Sequence, residues 1–134
     1  MAGFGAWMVG RYPEEHFGLV SFSSQPAQDR SMAIRDIIKM SKPYRFTFPG
    51  VKPGMPWGKA AFRVQRENIG DIHPTFKAGG AMSAIVSYRL QGLIIDDPMD
   101  QKNSANPEMR SKTFDNYENA IYTRLVDNAW QVCI

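Results

Sequence analysis

Two apolar runs of strand length stand out against polar flanks, residues 17–23 (FGLVSFS) and residues 92–95 (GLII). Such runs predict strands buried on both faces. After the first, the apolar period changes to that of a helix. Ser23 or Ser24 offers an N-cap and Pro26 suits a first turn, so a helix is predicted to run to about Met40. Ala27, Arg30, Ile34, Ile37 and Ile38 set its spacing, with the apolar members on one face, and Asp29, Arg35, Asp36 and Lys39 form its solvated face. Asn106 followed by Pro107 predicts the start of a second, long helix. Phe114, Tyr117, Ile121 and Leu125 would be its buried stripe and Asp127-Asn128 its end. Residues 129–134 (AWQVCI) then read as another strand. Residues 1–10 (MAGFGAWMVG) are apolar and glycine-rich without a cap or a charged first turn, and read as the tail of a helix.

The middle of the chain is punctuated differently. Residues 42–58 hold Pro43, Pro49, Pro53 and Pro56 together with Gly50, Gly54 and Gly58. Proline removes amide donors and fixes φ, so this stretch is predicted to be an exposed loop, framing a β-hairpin, rather than a continuous helix or a central strand. Residues 61–65 and 84–89 are short strand candidates, with His73-Pro74 in the connection between them. Strand, helix, hairpin region, strand, helix, strand is an α/β order, which predicts a mostly parallel sheet with helices packed on it. A chain that starts within a helical pattern and stops within a strand pattern reads as a piece of a larger domain.

Composition narrows the class. At 134 residues, with 43% hydrophobic and 22% charged, the chain is long enough and apolar enough for one domain with a core. A net charge of +3 and a pI of about 9.1 are too slight a bias to argue for nucleic acid. The single cysteine, Cys133, excludes an internal disulfide and a cysteine zinc site. No stretch approaches the ~20 apolar residues of a spanning helix, so the reading is a cytoplasmic protein with no membrane association.

The sharpest chemical signal is Leu93-Ile-Ile-Asp96-Asp97-Pro98. In open parallel sheets ligands bind beyond the carboxyl ends of the strands, and here that end carries two carboxylates. In a nucleotide hydrolase the first acid helps hold Mg²⁺ beside the phosphates and the second orients the attacking water. Adjacent carboxylates repel unless a cation neutralises them. Asp-Asp-Pro is also an ordinary turn sequence. The natural partner, a G-x-x-x-x-G-K-[ST] phosphate loop, is missing from the sequence. The Gly58-Lys59 pair has the wrong spacing, and Pro53 and Pro56 remove donors such a loop needs. His16 and His73 have no catalytic partner at a known spacing and read as solvated or satisfied structural histidines. Arg89, just before the acidic strand, is either a phosphate or DNA contact or a surface residue. The tryptophans at 7, 57 and 130 and the eight methionines read as packing.

Taken in order, several segments resemble the ATPase domain of phage terminase large subunits. They are Gly10-Arg-Tyr-Pro-Glu14, Leu19-Val-Ser-Phe-Ser-Ser24 followed by Ala27, Arg35-Asp-Ile-Ile38, His73-Pro-Thr-Phe-Lys-Ala-Gly-Gly80 and Leu93-Ile-Ile-Asp-Asp-Pro-Met99. Ser104 to Arg110, Tyr117 and Thr123-Arg-Leu125 resemble the helix that follows the family's Walker B strand, and residues 129–134 the strand that leads to its coupling motif. The resemblance covers nearly the whole chain. It departs before the acidic strand, where Val86-Ser-Tyr-Arg89 keeps only the arginine of the family's Thr-Gly-Arg.

The resemblance implies a partial P-loop NTPase (RecA-like) three-layer sandwich over residues 1–134, with the phosphate loop upstream and the nuclease domain downstream both outside the chain. It implies a parent ATPase that packages double-stranded DNA into procapsids with ATP and Mg²⁺. The implied partners are a small terminase subunit, the portal protein, DNA and further copies of itself. Asp96 would be the magnesium-organising acid and Asp97 the catalytic acid beside it, while the chain alone would be inactive. The alternatives are a fragment of another translocating ATPase such as a helicase, or a small non-catalytic phage protein that binds DNA or protein. Pro98 argues against the helicase, which usually continues with Glu and Ala or His.

Overall fold

The computed structural model describes residues 1–82 and 88–134, with the side chain of Asn103 left out. The element order is α1 (Ala2–Arg11), β1 (Phe17–Ser21), α2 (Ser24–Met40), α3 (Lys42–Thr47), β2 (Pro53–Trp57), β3 (Ala61–Val64), β4 (Phe76–Gly80), β5 (Leu90–Ile95), α4 (Gln101–Ala105), α5 (Pro107–Asn116) and β6 (Leu125–Cys133), with a π-helical turn (Tyr117–Ile121) and a 3₁₀ turn (Tyr122–Arg124) before β6. Six strands form one mixed sheet in the order β2-β3-β4-β1-β5-β6. The pairs β4–β1, β1–β5 and β5–β6 are parallel, and the β2–β3–β4 end is antiparallel. This is the expected α/β class with a mostly parallel sheet and an inserted hairpin.

Both faces of the sheet are covered, which is why its central strands are apolar throughout rather than alternating. Phe17, Leu19 and Ile94 join Ala6, Val9, Ala27, Ile34 and Ile38 of α1 and α2 in one core cluster. Val20 and Leu93 face the other way and pack with Leu90, Tyr88 and Ile121. Gly92 is paired in register with Trp130, whose indole lies over it so closely that a Cβ would fall 2.1 Å from the ring. The absence of a side chain at Gly92 thus lets Trp130 pack against Phe4 and Phe17 and fix β6 beside β5.

Three expectations are corrected. Residues 42–58 are not one exposed loop: Lys42–Thr47 is a short helix, because Ser41 Oγ accepts from Tyr44 N and Pro43 sits in the first turn, where it costs no hydrogen bond. Tyr44 is buried there and donates to the Ala6 carbonyl at 3.0 Å. Pro53 and Pro56 do lie in a strand, but β2 is at the sheet edge, where a missing donor is tolerated. The helix opened by Asn106 is shorter than its stripe suggested. It leaves α-helical geometry at Asn116, Phe114 is 59% exposed, and Leu125 begins β6; the buried residues are Thr113 and Ile121. Arg35 is not simply solvated, since it donates to the Trp57 carbonyl at 2.7 Å and ties β2 to α2. Of the strand candidate at 84–89, residues 84–87 lie outside the described residues, and Tyr88 and Arg89 precede β5. No helix among the described residues is long and apolar enough to cross a membrane.

Candidate functional site at the carboxyl edge of the sheet

β5 lies between β1 and β6, and all three run parallel, so their carboxyl ends open on the same edge. Asp96 follows β5 directly. Its N–H donates to the Val20 carbonyl at 2.8 Å, continuing the ladder by one residue, and the residue is 6% exposed. Asp97 leaves the ladder with φ at 47°, a left-handed conformation that aspartate tolerates better than most residues. Its carbonyl accepts from Phe22 N at 2.8 Å and from Ser21 Oγ at 3.4 Å, while its N–H reaches the Ile134 carbonyl at 3.3 Å. The backbone of Asp97 therefore bridges the ends of β1 and β6. Its carboxylate projects outward, 72% exposed.

The two acids are thus adjacent in sequence but differ in environment, one sheltered and one in water. A cation supplied by α2 meets both. Arg30 Nε is ion-paired with Asp96 Oδ2, and Arg30 Nη2 lies 3.8 Å from Asp97 Oδ2. Arg30 comes from the helix whose first turn follows β1. Gly80, at the end of β4, lets that junction approach closely: a Cβ there would lie 3.1–3.2 Å from the Ser23 and Ser24 backbone. The arginine supplies the neutralising charge that two neighbouring carboxylates need.

Arg30 entered the sequence reading only as a spacing position. Its signal was present: it lies three residues after Ala27 and four before Ile34, on the inward face of α2, where an unpaired charge would be expensive. The other candidates lie elsewhere. Arg89 is at the start of β5, at the opposite edge, where Nη1 donates to the Thr123 and Leu125 carbonyls at 3.1 and 3.2 Å; it is a structural clamp on the entry to β6. His16 and His73 are also at the amino-terminal edge, and His16 does have a carboxylate partner, Asp71, 2.9 Å from Nε2.

The donor set bears on the implied magnesium ion. Mg²⁺ is commonly held by one or two carboxylates with water completing its shell; Asp96 and Asp97 supply two, with Asp96 Oδ2 paired to Arg30. No larger group of acid, histidine or cysteine ligands occurs among the described residues. The chain matches no family model, and no curated protein matches it either.

Proposed function

We propose that this chain is the Walker B part of an ATP-hydrolysing DNA-packaging motor, the ATPase domain of a terminase large subunit. The observation that carries the reading is the placement of Asp96 and Asp97 at the carboxyl end of a central parallel strand, one sheltered and the other open to solvent. In this role Asp96 would hold a magnesium ion, which would neutralise the phosphates, and the solvent-exposed Asp97 would orient the attacking water and accept its proton. Arg30 neutralises both acids, and a magnesium ion would have to displace it from Asp96. The triphosphate cradle comes from a phosphate loop that this sequence does not contain, so the chain by itself is inactive.

A second reading draws on the ion pair. Arg30 and Asp96 together make a satisfied structural contact between α2 and β5, as a small non-catalytic phage protein would use.

Calorimetry of the chain with Mg²⁺ and ATP tests the first reading. Weak binding, about 1 mM or weaker, is expected from two carboxylates without a cradle. Tight binding that Asp96→Ala removes would mean the chain has a complete nucleotide site, against the cradle argument. In a polypeptide that joins this chain to a phosphate-loop segment, Asp96→Ala and Asp97→Asn should each abolish ATP turnover. Asparagine is the better variant at 97 because it tolerates the left-handed backbone. Unchanged turnover in both variants would overturn the assignment.

A further inference from the structure

The two lateral edges of the sheet are unequal. β2 closes one side and contains Pro53 and Pro56, which carry no amide donor. Proline at an edge is a common protection against the addition of another strand. β6 closes the other side without such protection. It runs for nine residues, holds no proline and no lysine, and has one charged residue, Asp127. Among the described residues its one strand neighbour is β5.

The backbone of β6 alternates in what it offers. Ile134 N donates to the Ile95 carbonyl at 2.8 Å, and the Ile134 carbonyl accepts from Asp97 N at 3.3 Å, so both polar groups of Ile134 face β5. In a parallel strand the N–H and C=O of one residue point to the same side and those of the next residue to the other. Trp130 and Val132 therefore also face β5. Ala129, Gln131 and Cys133 turn theirs outward, where they make no hydrogen bond among the described residues. This regular edge starts at Ala129, because Asn128 before it has φ at 67° and the β5–β6 register shifts between Leu90 and Gly92. The side chains alternate as well. Gln131 lies on the face of Tyr117, whose hydroxyl donates to Gln131 Oε1 at 2.5 Å. Trp130 lies on the face of α1, where Phe4 meets its ring edge-on at 5.5 Å. Phe4 and its stacking neighbour Trp7 are 38% and 48% exposed there.

Alternating free donors and acceptors are what a further strand pairs with. We propose that β6 is an interface between two copies of this chain, which join antiparallel about Gln131 into one continuous sheet. The occupant follows from the self-complementarity of residues 129–133. A two-fold axis through the Gln131 pair sets Gln131 against the partner's Gln131 and Ala129 against the partner's Cys133. Each such pair exchanges both of its bonds, about six hydrogen bonds in all. Between them Trp130 meets the partner's Val132, an aromatic beside a β-branched residue, which is a favourable cross-strand pairing that the symmetry supplies twice. The overlap contains no charged residue, since Asp127 falls outside it, so neither copy sets a charge against its own like. The other edge offers no such match, because its prolines remove donors. This interface does not rest on the roles given to Asp96 and Asp97.

Sedimentation equilibrium of the whole chain in reducing buffer tests this, with the reductant keeping the exposed Cys133 from forming a disulfide between copies. The contact is small, so a monomer–dimer equilibrium with a dissociation constant of about 0.1 mM is expected. Gln131→Pro removes the central outward donor without touching the β5 ladder, and should weaken the dimer at least about tenfold while circular dichroism stays unchanged. Amide exchange by NMR gives a second reading on the wild-type chain. Between about 0.05 and about 1 mM the amides of Ala129, Gln131 and Cys133 should become several-fold slower, while those of Trp130 and Val132, already bonded to β5, stay the same. A chain that sediments as a monomer at about 1 mM overturns the proposal. So does a dimer whose protection lacks this alternation, or one that a folded Gln131→Pro variant leaves intact. The wild-type exchange pattern decides the matter where Gln131→Pro fails to fold.

Discussion

Replacing Arg30 by alanine tests how the acidic edge is held together. The Asp96 side chain is 9% exposed and its partner Arg30 32%. Breaking a buried ion pair by removing one member costs about 3–5 kcal/mol, because the remaining charge stays desolvated. Here a third of the arginine is already in water, and solvent can reach the freed carboxylate, so a cost below that range, about 2 kcal/mol, is expected. Asp96→Asn removes the charge but keeps an oxygen for Arg30, and should cost about 1 kcal/mol. Because both changes act on the same contact, the double variant should cost about 2 rather than about 3 kcal/mol, a coupling of about 1 kcal/mol. Urea denaturation followed by tryptophan fluorescence reads this directly. With a slope of about 2 kcal/mol per molar, the Arg30→Ala midpoint falls by about 1 M. Additivity within about 0.4 kcal/mol would refute a stabilising Arg30–Asp96 contact. The same variant separates the two functional readings. If Asp96 is a magnesium acid, removing its competing cation strengthens Mg²⁺ binding several-fold; if the pair is only structural, calorimetry shows no Mg²⁺ binding in either protein.

Three further outcomes are expected. Gly92→Ala drives a methyl into the Trp130 indole and should cost about 1–3 kcal/mol in thermal or urea unfolding, partly restored by Trp130→Leu. Asn106→Ala removes the oxygen that accepts from Glu108 N and Met109 N at 2.9 and 3.4 Å, and should cost about 1 kcal/mol with loss of helical circular dichroism from α5. Asp71 is held below its ordinary value of 3.8, so its contribution is present above that pH and is lost as pH falls through the lower, folded value. Asp71→Asn should therefore be less stable than wild type at neutral pH, with the difference shrinking on acidification below about pH 4; a constant difference would rule out the linkage.

The parallel strands and α2 were legible because each carries its own local signal. Residues 17–23 and 92–95 are apolar runs set off by polar flanks, and the Ile34–Ile38 spacing is helical. The short helix α3 was hidden because Pro43 and Pro49 read as breakers, although Ser41 and Pro43 together are also a helix start. The end of α5 was misplaced because Tyr117, Ile121 and Leu125 do pack on the second core, but through a π-helical turn and a strand rather than one continuous helix. Asp96 and Asp97 were found because a strand end needs no tertiary information. Arg30 and the His16–Asp71 pair were not. The carboxylate partners of Arg30 and His16 lie 66 and 55 residues away along the chain, and only the folded sheet brings β1, β5 and the β3–β4 segment to common edges.

Because β1 lies between β4 and β5, its assembly is a problem of timing. Phe17 pairs with Phe76 on one side and with Gly92 on the other, about 60 and about 75 residues later. The β2–β3 hairpin can close in about 1–10 μs from neighbouring residues, whereas the sheet centre must wait for long loops to close. During synthesis at about 5–20 residues per second, β1 spends roughly 4–15 s without a complete set of strand neighbours. In that interval α1 and α2, close to β1 along the chain, can already cover Phe17 and Leu19, with which they share a core cluster. The helix–strand–helix piece α1–β1–α2 is thus the part of this core that can form before the sheet is complete.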